Sequence, residues 1–184
     1  MDVSGDSYFI RDQNKIYFLT LTVVDWLDVF TRKEYKIIIA ESLNYCIKNK
    51  GMIIYAYVIM SNHLHIITKA EEGYRLSDIL RDFKKHTSKQ IVLKMLEIDE
   101  SRRDWMLSKF SFHARRTRRA KNYKLWRDDN HAICLEQRDW YLTRLNYVHQ
   151  NPVKQMIVER GEDYLFSSAM DYAGKKGLVQ ITIG

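Results

Sequence analysis

A chain of 184 residues with 46% hydrophobic and 12% aromatic content has enough apolar material to bury a core, which excludes a disordered or low-complexity protein. Its seven glycines are scattered, its one proline is Pro152 and no internal repeat is visible, so one domain over 1–184 is expected. The net charge of +7 is local: residues 101–127 hold ten Lys or Arg against Asp104 alone, leaving the rest of the chain slightly acidic.

Two cysteines, Cys46 and Cys134, are too few for a disulfide framework and lack paired zinc spacing, so both read as core thiols of a reducing compartment. Residues 1–12 lack the charged start, apolar run and cleavage site of a leader, and no stretch approaches membrane-spanning length. The expected location is the cytoplasm, away from membranes.

In chain order, residues 15–24 (KIYFLTLTVV) are β-branched and aromatic, as a buried strand should be. Residues 31–49 read as a helix: Thr31 is a candidate cap, Glu34 sits at the capping-box position, Ile37, Ile38, Leu43 and Ile47 recur at helical spacing, and Gly51 lies just past the end. Residues 52–60 (MIIYAYVIM) are apolar on both faces, which predicts a central strand, and 63–69 follow after a short polar turn as the second arm of a hairpin. Residues 75–97 form a long helix marked by Leu76, Ile79, Leu80, Phe83, Ile91, Leu93 and Met95, with Arg81, Lys84, Lys85 and Lys89 on its other faces. The basic block is mostly helical in propensity and interleaves Trp105, Phe110, Phe112, Tyr123 and Trp126. A short strand at 132–136, a helix at 137–151 and an edge strand at 178–183 complete the reading. Strands interspersed with helices around a tight hairpin predict an α+β fold, an antiparallel sheet with helices on one face in a ferredoxin-like (RRM-like) arrangement.

His63 and His65 are two apart in a predicted strand, so both imidazoles leave the same face and can converge on one ion. The same spacing arises from two solvent-facing or two satisfied core histidines and carries no assignment alone. The flanks fit neither a cupin nor a metallo-β-lactamase, since His65 is followed by Ile66 and Ile67. Tyr147 and Asn151 are one helical turn apart, beside an apolar stripe of Tyr141, Leu145 and Val148 rather than at its centre. A free tyrosine, with a pKa of about 10, attacks a phosphate at neutral pH only with a cation on the phosphate and help in losing its proton. The basic block suits a phosphate backbone, where each neutralised phosphate releases counterions; a solvated helical surface has the same composition.

The runs Met60-Ser-Asn-His-Leu-His-Ile-Ile, Leu145-Asn-Tyr-Val-His-Gln-Asn-Pro-Val-Lys and Glu162-Asp-Tyr-Leu-Phe-Ser-Ser-Ala-Met-Asp-Tyr resemble, together and in this order, the single-tyrosine transposases of the HUH endonuclease superfamily. Within that group, the IS200-like transposases, the chain is most similar to the REP-associated tyrosine transposases, in which Asn-Pro follows four residues after the tyrosine. The resemblance extends from about Tyr8 to the end and includes Val24-Asp-Trp26, Arg81-Asp-Phe-Lys-Lys85 and Leu125-Trp-Arg127.

That resemblance implies Tyr147 as nucleophile, with His63, His65 and Asn151 holding a divalent metal. The insertion-sequence branch usually has glutamine where this chain has Asn151. The implied cofactor is Mg2+ or Mn2+, and imidazole ligands favour manganese. The implied reaction is attack on a DNA phosphate to leave a 5′-phosphotyrosine and a free 3′-hydroxyl, needing no nucleotide cofactor. The implied substrate is single-stranded DNA beside a hairpin. The candidate DNA contacts are Arg81, Lys84, Lys85, Arg115, Arg116, Arg118, Arg119, Lys121 and Arg127. A monomer or a homodimer fits the family.

His149, two residues along a helix from Tyr147, points elsewhere and is given a surface or phosphate-facing role rather than that of base; His131 has no chemistry assigned. Pro152 disfavours helix at Asn151. Three rival readings stand: a domesticated protein that binds DNA hairpins without cutting, an RNA-recognition module, whose aromatic signature is absent, and a zinc hydrolase, which lacks a strong third ligand near by.

Overall fold

The computed structural model describes residues 9–117 and 120–184. Four strands, β1 (Tyr17–Thr22), β2 (Met52–Ile59), β3 (His63–Ala70) and β4 (Ile133–Cys134), form an antiparallel sheet in the order β2-β3-β1-β4. Between them run α1 (Lys33–Lys50), α2 (Leu76–Glu97) and α3 (Arg103–Thr117), and after β4 come α4 (Arg138–Lys154) and the short α5 (Ala169–Tyr172). The fold is α+β, as the alternation of strand and helix patterns predicts.

Period-two alternation divides β1 between two cores. Tyr17, Leu19 and Leu21 join Leu64 and Ile66 of β3 in the larger core, where α1 and α2 supply Ile39, Leu43, Leu80 and Phe83. Phe18 faces the other way, with Ile67, Val58 and Ala56, into a smaller core closed by Val148 of α4. The helices expected on one face of the sheet are thus α1 and α2, and α4 covers part of the opposite face. Strand β2 likewise serves both cores, and a bulge between Ile54 and Ala56 switches which residues face which: Met52 and Ile54 face the larger core before it, Tyr57 and Ile59 after it.

Strand β2 is not central, as its apolar sequence suggested, but an edge. Its open side is covered by later chain: Ile59 N donates to Phe166 O at 2.9 Å, Ser168 N to Tyr57 O at 3.0 Å and Thr182 N to Ile54 O at 2.8 Å. Its apolar residues on both faces answer to the cores packed on either side of the sheet, which cover an edge strand as they would an interior one. Residues 178–183, expected as an edge strand, reach β2 through Thr182 without forming a strand.

Helix α1 ends as predicted, with Gly51 in the left-handed conformation (φ 64°) and its N–H on Cys46 O. Its start differs: Arg32 is the cap residue, and the Thr31 hydroxyl instead accepts from the Arg102 guanidinium at 3.0 Å. The same Arg102 and Arg32 bracket the buried Glu100 carboxylate (Nε to Oε1 3.2 Å and Nε to Oε2 2.9 Å), tying the entry of α1 to the link between α2 and α3. Helix α4 runs through Pro152 to Lys154, so Asn151 stays helical and its carbonyl accepts from Gln155 N at 3.1 Å. Pro152 cannot donate to the carbonyl one turn earlier, so α4 gives up one helical hydrogen bond there and ends two residues later at Lys154.

Candidate active site

The register of β1 on β3 sets Thr20 opposite His65 and Thr22 opposite His63, all on the face that carries Phe18. Helix α4 crosses that face and brings Tyr147, 82 residues away in sequence, to His65: the hydroxyl lies 3.5 Å from Nε2. The two imidazole centroids are 4.5 Å apart. Phe18 supports the group from below, stacked on His65 with centroids 5.2 Å apart and edge-on to Tyr147 at 5.9 Å.

Each imidazole is held through Nδ1. His63 Nδ1 is 2.7 Å from Asn62 Oδ1, and Asn62 Nδ2 donates to Asp28 Oδ1 at 2.9 Å, which fixes the amide so that its oxygen faces the ring. An amide oxygen only accepts, so the proton sits on His63 Nδ1 and the Nε2 lone pair is open. His65 Nδ1 meets Thr20 Oγ1 at 2.9 Å, leaving its Nε2 toward Tyr147. Burial lowers the pKa of His63 to about 4 against the opposing pull of Asp28. Burial, then the charges of His63, Arg144 and His131, lowers His65 to about 3. Both rings are neutral at pH 7, as metal ligands must be. Asn151, one turn after Tyr147, is 6% exposed, and its Oδ1 accepts no hydrogen bond among the described residues. A buried amide oxygen in that state costs about 1–3 kcal/mol unless something satisfies it, and two imidazoles with an amide oxygen fit a divalent ion with open positions. Two cations flank the Tyr147 ring: Arg144 Cζ at 6.0 Å and Lys154 Nζ at 5.5 Å from the centroid.

His149 does not face solvent or phosphate. Its Nε2 is 2.9 Å from Ser168 Oγ, its ring packs on Tyr172, and burial lowers its pKa to about 4. His131 adopts φ 42° and lies near enough for its charge to act on His65.

The basic residues sort by what they touch. Lys84 gives its ammonium to the carbonyls of Arg127 (2.7 Å) and Asp129 (3.2 Å), and burial lowers its pKa to about 8. Arg127 pairs with Asp129 at 3.1 Å, and Arg81 with Asp78 (2.8 Å) and Asp82 (3.2 Å). Lys85, Arg115, Arg116 and Lys121 are exposed. Arg118 and Arg119 lie outside the described residues. Of the aromatics in the block, Trp126 belongs to the larger core, with Nε1 on Thr87 Oγ1 at 2.9 Å, whereas Trp105 is exposed.

Sequence reasoning missed Thr20, Phe18 and the pairing partners of Asn62. The available signal was Thr20 and Thr22 alternating into an otherwise apolar strand, on the face set by the histidines.

An α+β protein whose sheet carries two neutral imidazoles under a tyrosine hydroxyl defines a class by its site. Residues 16–123 match the family model described as transposase IS200 like, and the chain belongs to the IS200-like transposase family. Among solved structures it is similar to a REP-associated tyrosine transposase bound to a REP hairpin, at TM-score 0.62 and 17% identity, over 99% of this chain and 92% of that one. A candidate transposase from Deinococcus radiodurans R1 is matched at TM-score 0.48 and 10% identity, over 80% of this chain and 95% of that one. No curated protein matches in sequence. Among the described residues no helix is long and apolar enough to cross a membrane.

Proposed function

We propose that the protein is a metal-dependent single-stranded DNA endonuclease and strand transferase that acts beside DNA hairpins, in the manner of REP-associated transposases, with Tyr147 as nucleophile. The observation that carries this reading is the Tyr147 hydroxyl 3.5 Å from His65 Nε2, on a helix far from the histidine strand in sequence. The Tyr147 oxygen attacks the phosphorus in line, the P–O3′ bond breaks, and the phosphate is left on the tyrosine while the 3′-hydroxyl departs. Attack by a 3′-hydroxyl on the phosphotyrosine rejoins the strand, so bond energy is conserved and no nucleotide is consumed. A bound Mg2+ or Mn2+, held by His63, His65 and Asn151, would polarise a non-bridging phosphate oxygen. Arg144 and Lys154 supply positive charge beside the phosphate, and Phe18 fixes the mutual placement of His65 and Tyr147. Lys85, Arg115, Arg116 and Lys121 offer exposed cations for the DNA backbone.

The test is incubation with a single-stranded DNA hairpin and Mn2+, followed by a denaturing gel. A covalent protein–DNA adduct is expected from wild type and is lost on chelation or in Tyr147→Phe, which still binds the hairpin. Binding with no adduct from wild type would support a domesticated hairpin binder, and an adduct from Tyr147→Phe would move the nucleophile elsewhere.

A further inference from the structure

Between β1 and α1 the chain makes two consecutive left-handed residues, Asp25 (φ 53°) and Trp26 (φ 54°), neither of them glycine. Aspartate tolerates this conformation; tryptophan is strained in it, and such residues persist only where their surroundings hold them. Here the surroundings do. Val24 is buried and its N–H donates to Leu125 O at 2.9 Å, Val23 N donates to Asn62 O at 2.9 Å, and Phe30 N to Ser61 O at 2.7 Å. The Asp25 carboxylate is tied to α3 through His113 Nε2 at 2.8 Å and Lys109 Nζ at 3.4 Å.

The strained turn leaves the indole outside both cores. Trp26 is 54% exposed, although Val24 and Leu27 around it are buried, and its ring stands edge-on to His63 with centroids 6.2 Å apart. A large apolar ring is therefore held in water, at the rim of the histidine pair, by a backbone that resists it. Its neighbour Asp25 is held by α3, where Lys109, His113 and the exposed Arg116 recur at helical spacing on the side that meets Asp25. An aromatic face next to a cationic helix is the pairing that single-stranded nucleic acid uses, base on ring and phosphate on cation.

We propose that Trp26 is the stacking platform for an unpaired nucleobase adjoining the phosphate at His63 and His65, and that the Arg116 side of α3 takes the backbone leading away from it. This subsite rests on the reading of the tyrosine–histidine group as a single-stranded DNA site. It sets which base beside the cut is held, through contact with its face.

The test uses the full chain as Tyr147→Phe, so that no chemistry is needed, and a DNA hairpin with a single-stranded tail carrying 2-aminopurine at successive positions. With Trp26 present, one or two tail positions nearest the hairpin are quenched in the complex. Adding Trp26→Ala relieves that quenching and weakens binding about 5- to 100-fold, and Trp26→Phe, which keeps a ring, restores most of both. Unchanged fluorescence at every position, with affinity within about twofold of the parent, overturns the subsite. So does loss of self-association, rather than of DNA binding, in Trp26→Ala. Absence of an adduct with unaltered Tyr147 counts against the cleavage reading instead, and the stacking measurement distinguishes the two.

Discussion

Thr20 stands opposite His65 in the β1–β3 register and places its Oγ1 2.9 Å from the ring Nδ1, so that Nε2 is aimed at Tyr147. Partners of this kind typically change metal affinity or activity 10- to 100-fold when removed. Thr20→Val is expected to weaken Mn2+ binding in a calorimetric titration by about that factor and to slow adduct formation in step, while Thr20→Ser keeps both. Equal Mn2+ affinity in Thr20→Val and wild type would show that the hydroxyl orients nothing.

Stability should fall with acid over a window set by the buried histidines. The unfolded chain takes up histidine protons near pH 6.5, whereas the folded forms of His63 and His149 resist to about pH 4 and His65 to about pH 3. Between these limits the unfolded state binds more protons, so stability is lost as pH falls, on the order of 3–5 kcal/mol for each ring over its full window. Thermal unfolding in chelator from pH 7 to 4.5 is expected to show a steady drop in midpoint. The double variant His63→Asn/His65→Asn should give a shallower one, and parallel curves for both proteins would reject the assignment.

Arg115 and Arg116 are exposed at the end of α3, while Lys84 is spent on two carbonyls. The double variant Arg115→Ala/Arg116→Ala is expected to weaken single-strand binding and to flatten the dependence of log Kd on log salt by about 1.4, the value for two lost phosphate contacts. Lys84→Ala should instead lower the melting temperature and leave the salt slope in place. The reverse pattern would exchange their roles.

Gly161 packs against the backbone of α4, where a Cβ would lie 2.5 Å from His149 O, two residues past the nucleophile. Gly161→Ala therefore displaces the helix as well as straining the contact. A loss of about 1–3 kcal/mol in denaturant unfolding is expected, with a larger fall in adduct rate than Gly73→Ala produces, since Gly73 (φ 86°) strains only its own backbone on substitution and nothing lies within 4 Å of a Cβ there.

Much of the fold is legible in the sequence because it depends on local periodicity. The hairpin around Ser61 and Asn62, the long α2 and the Gly51 stop all follow from short-range patterns. The position of β2 in the sheet was not legible: apolar faces report burial without saying whether the cover is another strand or, as here, residues 166–168 and Thr182. The histidine pair and Tyr147 stand out through spacing and resemblance, and the structure brings His65 and Tyr147 together. What escaped is the support around them. Thr20 and Phe18 become visible only with the register, and charge counting could not separate Lys84, Lys124 and Arg127, each bound to its own chain, from Arg115 and Arg116.

The two faces of the sheet differ in how much holds them. The strand carrying the histidines is anchored mainly in the larger core, while Val148 and its neighbours dock the tyrosine helix onto a much smaller one. Warming or mild denaturant that loosens this lesser contact separates nucleophile from imidazoles while most of the chain is still native. Inactivation should then precede bulk melting, with amides of α4 exchanging their hydrogens well before those of β1 and β3.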